Sequence, residues 1–187
     1  MRKIFLFAFC AVVLSACDNA KKDEPATATS TTPSATDKKP MMEIMDMSSA
    51  DVVKRSNDAF AKGDIDAMTA DYDDNIRYTW SAGDSLIGKK AVQDYWKSRW
   101  GLIESLSFSE HIYVPLLANE LQTAYAPTGK WILHWNMVNA KYKNGKSVMF
   151  WSHNVHHLND AGKIDFIGNY YDRAPIIKAT EGMTLPK

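Results

Sequence analysis

Trp131-Ile-Leu-His-Trp-Asn-Met-Val-Asn-Ala-Lys-Tyr142, then Lys143-Asn144-Gly145-Lys146, then Ser147-Val-Met-Phe-Trp-Ser-His-Asn-Val-His-His-Leu158 decide the fold. Two runs rich in β-branched and aromatic side chains flank a tight polar turn, which is the signature of a β-hairpin. Its Asn-Gly core favours a type I′ turn. Downstream, Asn159-Asp160-Ala161-Gly162 marks another turn and Lys163 to Tyr171 a last strand. Upstream, Leu106, Phe108, Ile112 and Val114 alternate with Ser107, Ser109, His111 and Tyr113, a half-buried strand.

Before Ile103 the period is helical. Val52, Val53, Ser56, Ala59 and Phe60 share one face, with Ser48 or Ser49 placed as N-cap and Gly63 as stop. Asp64 caps a second, shorter helix through Ile65, Ala67 and Met68. A third runs from about Lys89 to Ile103, with Val92, Tyr95, Trp96 and Trp100 in its apolar stripe. Helices first and an antiparallel meander afterwards predict an α+β domain whose helices cover one face of a curved sheet.

The N-terminus tells where such a domain would work. Arg2 and Lys3, an apolar run from Ile4 to Leu14, and Leu14-Ser15-Ala16-Cys17 form the pattern of a lipoprotein signal peptide. The run is short of the roughly 20 residues that cross a bilayer. Residues 1–16 are therefore expected to be removed and Cys17 to be acylated, anchoring the protein to a membrane in the cell envelope, outside the cytoplasm. Residues 17–47 then read as the lipidated cysteine and a disordered tether of Ala, Thr, Ser, Pro and Lys. Residues 48–175 form the domain and 176–187 a C-terminal tail. The thioethers of Met41, Met42, Met45 and Met47 suit Cu(I), but packing against the domain is the reading preferred.

Removing Arg2 and Lys3 from 22 basic residues leaves 20 against 22 acidic ones, a net charge of −2. That balance gives no footprint for nucleic acid. Cys10 leaves with the signal, so no disulfide forms within the mature chain.

The globular part resembles the nuclear transport factor 2-like superfamily, in its SnoaL-like and ketosteroid isomerase-like branch. The resemblance rests on Phe60-Ala-Lys-Gly-Asp-Ile-Asp-Ala67, on Tyr72-Asp-Asp74 entering the first strand, on Gly88 followed by Ala91, Val92 and Tyr95, and on Gly162-Lys-Ile164 leading to Tyr170-Tyr-Asp172. It implies a cone-shaped half-barrel, with N-terminal helices packed on a curved antiparallel sheet around an apolar pocket, often in a homodimer. Laid over the isomerases, the catalytic base position falls on Thr79, the oxyanion tyrosine on Ser56 and the protonated acid on Asn154. Two of the three chemical groups are lost. Asn154 keeps an amide that is able to donate to an oxyanion.

The same overlay and strand parity place Ser56, Phe60, Thr79, Trp135, Met137, Phe150, Ser152, Asn154, His156, Ile167, Asn169 and Tyr171 around the pocket. Arg77 and Thr79 stay ambiguous, because Ile76, Tyr78 and Trp80 claim the inward parity of that strand. Glu110 sits at an apolar position between Phe108 and Ile112, where desolvation makes a usable acid or base. A bulge near Pro115 that turns it outward, or a pairing with Arg77, are the alternatives. Ile132, Val138, Trp151 and Val155, with His134 and His153, are assigned to the outer face, which suggests dimerisation or docking. His153 and His157 stand about 13 Å apart along one strand, too far for one ion. No metal and no cofactor are expected.

Two functions follow. One is a lipid-anchored binding domain that takes a small apolar or amphipathic ligand, or docks a protein partner. The other is a SnoaL-like isomerase or cyclase with Glu110 or His156 as acid/base and Asn154 as oxyanion donor.

Overall fold

The computed structural model describes residues 39–121, 123 and 126–184. The expected signal peptide, Cys17 and the part of the expected tether up to residue 38 lie outside the described residues. A short strand β1 (Met42–Ile44) and a 3₁₀ turn lead into helix α1 (Asp51–Ala61) and a one-turn helix α2 (Ile65–Met68). Strands β2 (Tyr72–Trp80) and β3 (Ser85–Ile87) precede helix α3 (Lys89–Trp100). Then come the long strands β4 (Ile103–Ala118), β5 (Gly129–Tyr142), β6 (Ser147–Leu158) and β7 (Ile164–Tyr170), and a last helix α4 (Ala174–Thr180).

The seven strands form one sheet in the order β1-β4-β5-β6-β7-β2-β3. All neighbours are antiparallel except β2 and β7, which run parallel, so the sheet is mixed rather than purely antiparallel. Helices α1, α2 and α3 pack on its concave face. Val53, Ile65, Met68, Ile76, Val92, Ile132, Ile164 and Ile167 make the core there, each at most 4% exposed. The fold is α+β, as its sequence pattern predicts.

Local chemistry explains most boundaries. Neither Ser48 nor Ser49 caps α1: both lie in the 3₁₀ turn before it, which Asp46 caps by accepting from Ser48 N at 2.9 Å, and the N-cap of α1 is Ala50, with no side-chain cap. Gly63 ends α1 at φ 78°, and a Cβ there would clash with the Trp100 indole, so both backbone and packing require glycine. Asp64 caps α2 by accepting from Ala67 N at 2.9 Å. The methionine-rich segment docks by its backbone, β1 pairing with β4 while Met41, Met42 and Met47 stay about half exposed (44%, 53% and 49%). Residues 174–180, read from sequence largely as tail, form α4, tied to the β5–β6 turn by Asn144 Nδ2 donating to Ala179 O at 2.8 Å.

That turn departs from expectation in a way that matters. Gly145 has φ 83° but Asn144 does not enter the left-handed region, so the type I′ geometry is excluded. Gly145 N donates to Tyr142 O and Tyr142 N to Lys146 O, both at 2.8 Å. This is a three-residue loop with Gly145 as a bulge, and it sets the register Asn136↔Ser152 and His134↔Asn154. A two-residue turn would instead have set Met137 and Trp135 opposite those residues. One residue in the loop therefore exchanges the faces of β5.

Candidate functional site

Between the concave face and the helices lies a cavity of about 200 Å³. Its floor is built from side chains of three adjacent strands: Asn136 and Val138 of β5, Ser152, Asn154 and His156 of β6, and Ile167 and Asn169 of β7. Rings close the walls. Phe60 of α1 meets Trp96 of α3 edge to face at 4.7 Å, and Phe150 packs against Tyr171 at 5.2 Å. Tyr95, Arg99 and Phe108 complete the rim, and Ile176, Ile177 and Thr180 of α4 cover one side of the mouth.

The floor is polar and mostly satisfied. Ser152 Oγ donates to Asn154 Oδ1 at 2.8 Å, Asn154 Nδ2 to Asn169 Oδ1 at 2.8 Å, and Asn169 Nδ2 to the backbone carbonyl of Thr79 at 2.7 Å. A carbonyl only accepts, so the far end of the chain fixes the direction of both amides. Asn154 is thus engaged on both its oxygen and its nitrogen. Ser56 is also occupied, donating to Met68 O at 2.9 Å and lying 3.2 Å from Tyr72 OH. Burial pushes the Tyr72 phenol up to about 12, so it stays a neutral donor.

Asn136 differs from its neighbours. It is 2% exposed and lines the cavity, yet its Oδ1 has no hydrogen-bond partner. His156 is buried further along β6, opposite Ile132, with Nδ1 3.4 Å from Ile132 O, so the proton sits on Nδ1 and Nε2 keeps a lone pair. Burial lowers its pKa to about 4, against the opposing pull of the Ile132 carbonyl. The ring is neutral at pH 7.

An imidazole pair, His134 and His111, lies on the same inward face outside the cavity lining. His134 is 1% exposed, with Nε2 3.1 Å from His111 Nδ1 and Nδ1 3.3 Å from Asn57 Nδ2. The Tyr113 ring stacks on it at 4.3 Å and 2°. Burial first, then the neighbouring His156, His111 and His153, bring its pKa down to about 3.

The structure gathers Ser56, Phe60, Phe150, Ser152, Asn154, His156, Ile167, Asn169 and Tyr171 around one cavity. It does not bring Trp135, Met137, Thr79 or Glu110 there. Trp135 and Met137 lie on the outer face, because the hairpin register turns the even-numbered residues of β5 inward. For the same reason Ile132, Val138 and His134 face inward, against the expectation that put them outside. Thr79 stands on the opposite parity from the buried Ile76, Tyr78 and Trp80, and its Oγ1 donates to Ile167 O at 3.2 Å. Arg77 is exposed.

Glu110 is exposed on a β-bulge, the one described non-glycine residue with positive φ, at 54°. The register slips between Ser109 and Ile112, so Leu106 and Phe108 line the cavity before the bulge while His111 and Tyr113 turn inward after it. The bulge thus falls at Glu110 itself, not near Pro115. Among the described residues no cluster of three or more His, Cys, Asp or Glu is arranged to hold a metal. Asn136, Arg99 and α4 were not signalled by the sequence reading; the turn length was the clue to Asn136.

Solved structures repeat the architecture. A Bacillus subtilis protein provisionally called an isomerase superposes with a TM-score of 0.57 at 16% identity, covering 74% of this chain and 96% of its own. A Xanthomonas campestris pv. campestris protein provisionally called a polyketide cyclase does so at 0.58 and 19%, covering 71% and 96%. A Catenulispora acidiphila protein with a ketosteroid isomerase-like fold, in complex with trimethylamine, gives 0.51 and 10%, covering 72% and 93%. At such identities the likeness concerns the fold alone. No curated protein matches the chain by sequence. The SnoaL-like domain family matches residues 53–166, from the second residue pair of α1 into β7, and the chain belongs to that family.

Proposed function

We propose that this is a membrane-anchored SnoaL-like binding domain whose cone takes a small, flat, amphipathic ligand. The observation that carries it is Asn136. A buried amide oxygen without a partner costs about 1–3 kcal/mol, and this one sits on the floor of a ring-walled cavity where a ligand donor would complete it. The size fits a ligand of about one or two rings, since a cavity of roughly 150 Å³ accommodates benzene. Apolar walls with a few convergent polar groups are what small-molecule sites offer.

The acid/base alternative is supported less. Glu110 stands away from the cavity, and Asn154 already spends its amide on Asn169. That leaves His156, whose pKa of about 4 makes it a hydrogen-bond acceptor and a weak base at neutral pH.

Titrating the purified full chain with 2-naphthamide tests the binding reading. Submicromolar to micromolar affinity in the wild type, lowered about tenfold or more in Asn136→Leu, is expected. Equal affinity in both proteins would sink the role of Asn136. Anchoring rests on Leu14-Ser15-Ala16-Cys17; Cys17→Ser should release the protein from the membrane fraction with its melting temperature unchanged. Retention of that variant through a carbonate wash would count against it.

The outer face supports a partner as well. Ile112, Trp151 and Tyr170 are 52%, 51% and 46% exposed there. Trp135, His153 and Tyr170 stack across three strands, at 4.3 Å and 5.8 Å. A second copy of this chain, packed sheet to sheet, is the proposed occupant. A two-fold axis would set the two outer faces against each other, apolar rings on apolar rings.

A further inference from the structure

The cavity carries charge of one sign. Its lining includes Arg99 and Arg173 and no aspartate or glutamate. The two arginines are not equivalent. Arg173 Nη1 donates to both carboxylate oxygens of Asp84 at 2.8 Å, which neutralises it locally. Arg99 makes no ion pair among the described residues, and its Nε has no hydrogen-bond partner. Instead its guanidinium lies over the Tyr95 ring, 4.6 Å from the centroid.

A guanidinium does not shed its proton at any ordinary pH, so this positive charge persists in a largely apolar enclosure. Nearby phenols register it. Burial raises the pKa values of Tyr95, Tyr142 and Tyr171, and Arg99 opposes the rise in all three. A planar fork of donors beside Tyr95, with no carboxylate partner among the described residues, matches a carboxylate in two-point geometry.

We propose that the ligand is an anion, a compact ring-bearing carboxylate, with its charged group held by Arg99 and its ring between Phe60, Trp96 and Phe150. The inference rests on the cone being a ligand site and adds the charge of what enters it. In this arrangement the apolar body meets the aromatic walls and a polar substituent reaches Asn136, while Arg173 stays with Asp84.

Calorimetric titration of the full chain with 2-naphthoate and 2-naphthamide, equal in shape and different in charge, decides it. The carboxylate is expected to bind at least tenfold more tightly, and its affinity alone should fall with added salt. Arg99→Met, which keeps the stem, should erase the preference; Arg99→Lys should keep most of it. The salt dependence is read on the wild type and needs no variant to fold. Equal binding of the two probes, or a preference that survives in Arg99→Met, would overturn the anionic site and leave the cone reading standing. Failure of both probes to bind would overturn both.

Discussion

The two faces of the β5–β6 hairpin invert the usual arrangement. Inward point His134, Asn136, Ser152, Asn154 and His156, all but Asn154 at most 6% exposed. Outward point Leu133, Trp135, Met137, Trp151 and Val155, none of them buried. A protein that hides amides and imidazoles and shows tryptophans is built neither for a dry core nor for bare solvent. The inner face needs hydrogen-bond partners, and the outer face needs cover.

Acid should break the inner face most. The folded pKa values of His156 and His134 are about 4 and about 3, below the ordinary 6.5. The unfolded chain therefore binds protons that the folded one refuses. The stabilisation is complete above pH 6.5 and is lost as pH falls toward 4, on the order of 3 kcal/mol for each ring by linkage. Melting temperature should drop steeply between pH 6.5 and 4. A flat profile over that range would mean the rings are not held neutral.

Charging the outer face comes next. If a second copy covers it, Trp151→Glu buries an unpaired carboxylate at a cost of about 3–5 kcal/mol. Light scattering should show dimer becoming monomer with the secondary structure retained. A wild type that is monomeric at high concentration would remove the second copy.

A third contrast lies within the inner face. Asn154→Leu severs the Ser152–Asn154–Asn169 chain and orphans Asn169 Oδ1, so a loss of about 1–3 kcal/mol is expected in urea melts. Asn136→Leu removes an amide oxygen that already lacks a partner, and should raise stability by about 1 kcal/mol. Shifts of the same sign would show that the two amides are not distinguished in this way.

The smallest effect belongs to the bulge. Glu110→Gly relieves a left-handed backbone and should stabilise by up to about 1 kcal/mol, with no effect on probe binding. A loss of binding would return Glu110 to the site.

Periodicity made the order of the main elements and the helix stop at Gly63 legible in the sequence, and with the family resemblance most of the β6 and β7 lining as well. What escaped was set by single residues whose effect is not local. Whether the Asn144-Gly145 loop holds two residues or three exchanges the faces of β5, and apolar residues on both parities, Trp135 and Met137 against Ile132 and Val138, give no tie-break. The bulge at Glu110 does the same to β4. Arg99 was hidden differently: on an amphipathic helix it reads as a solvated charge, and only the wall of β4, β5 and α4 around it shows otherwise.

The parallel pairing of β2 with β7 bears on how the domain comes to exist. Tyr78 aligns with Ile167 and Trp80 with Asn169, contacts that join the first long strand to the last across nearly the whole domain. Chain segments so distant close slowly, because the entropy of the intervening loop is lost before the contact compensates it. Until Tyr170 is available, β2 lacks that neighbour and α1 and α3 lack part of the surface they cover. During synthesis the helices and β2 must therefore wait, apolar side exposed, for the final strand. That interval is when the chain is most open to aggregation or to a chaperone.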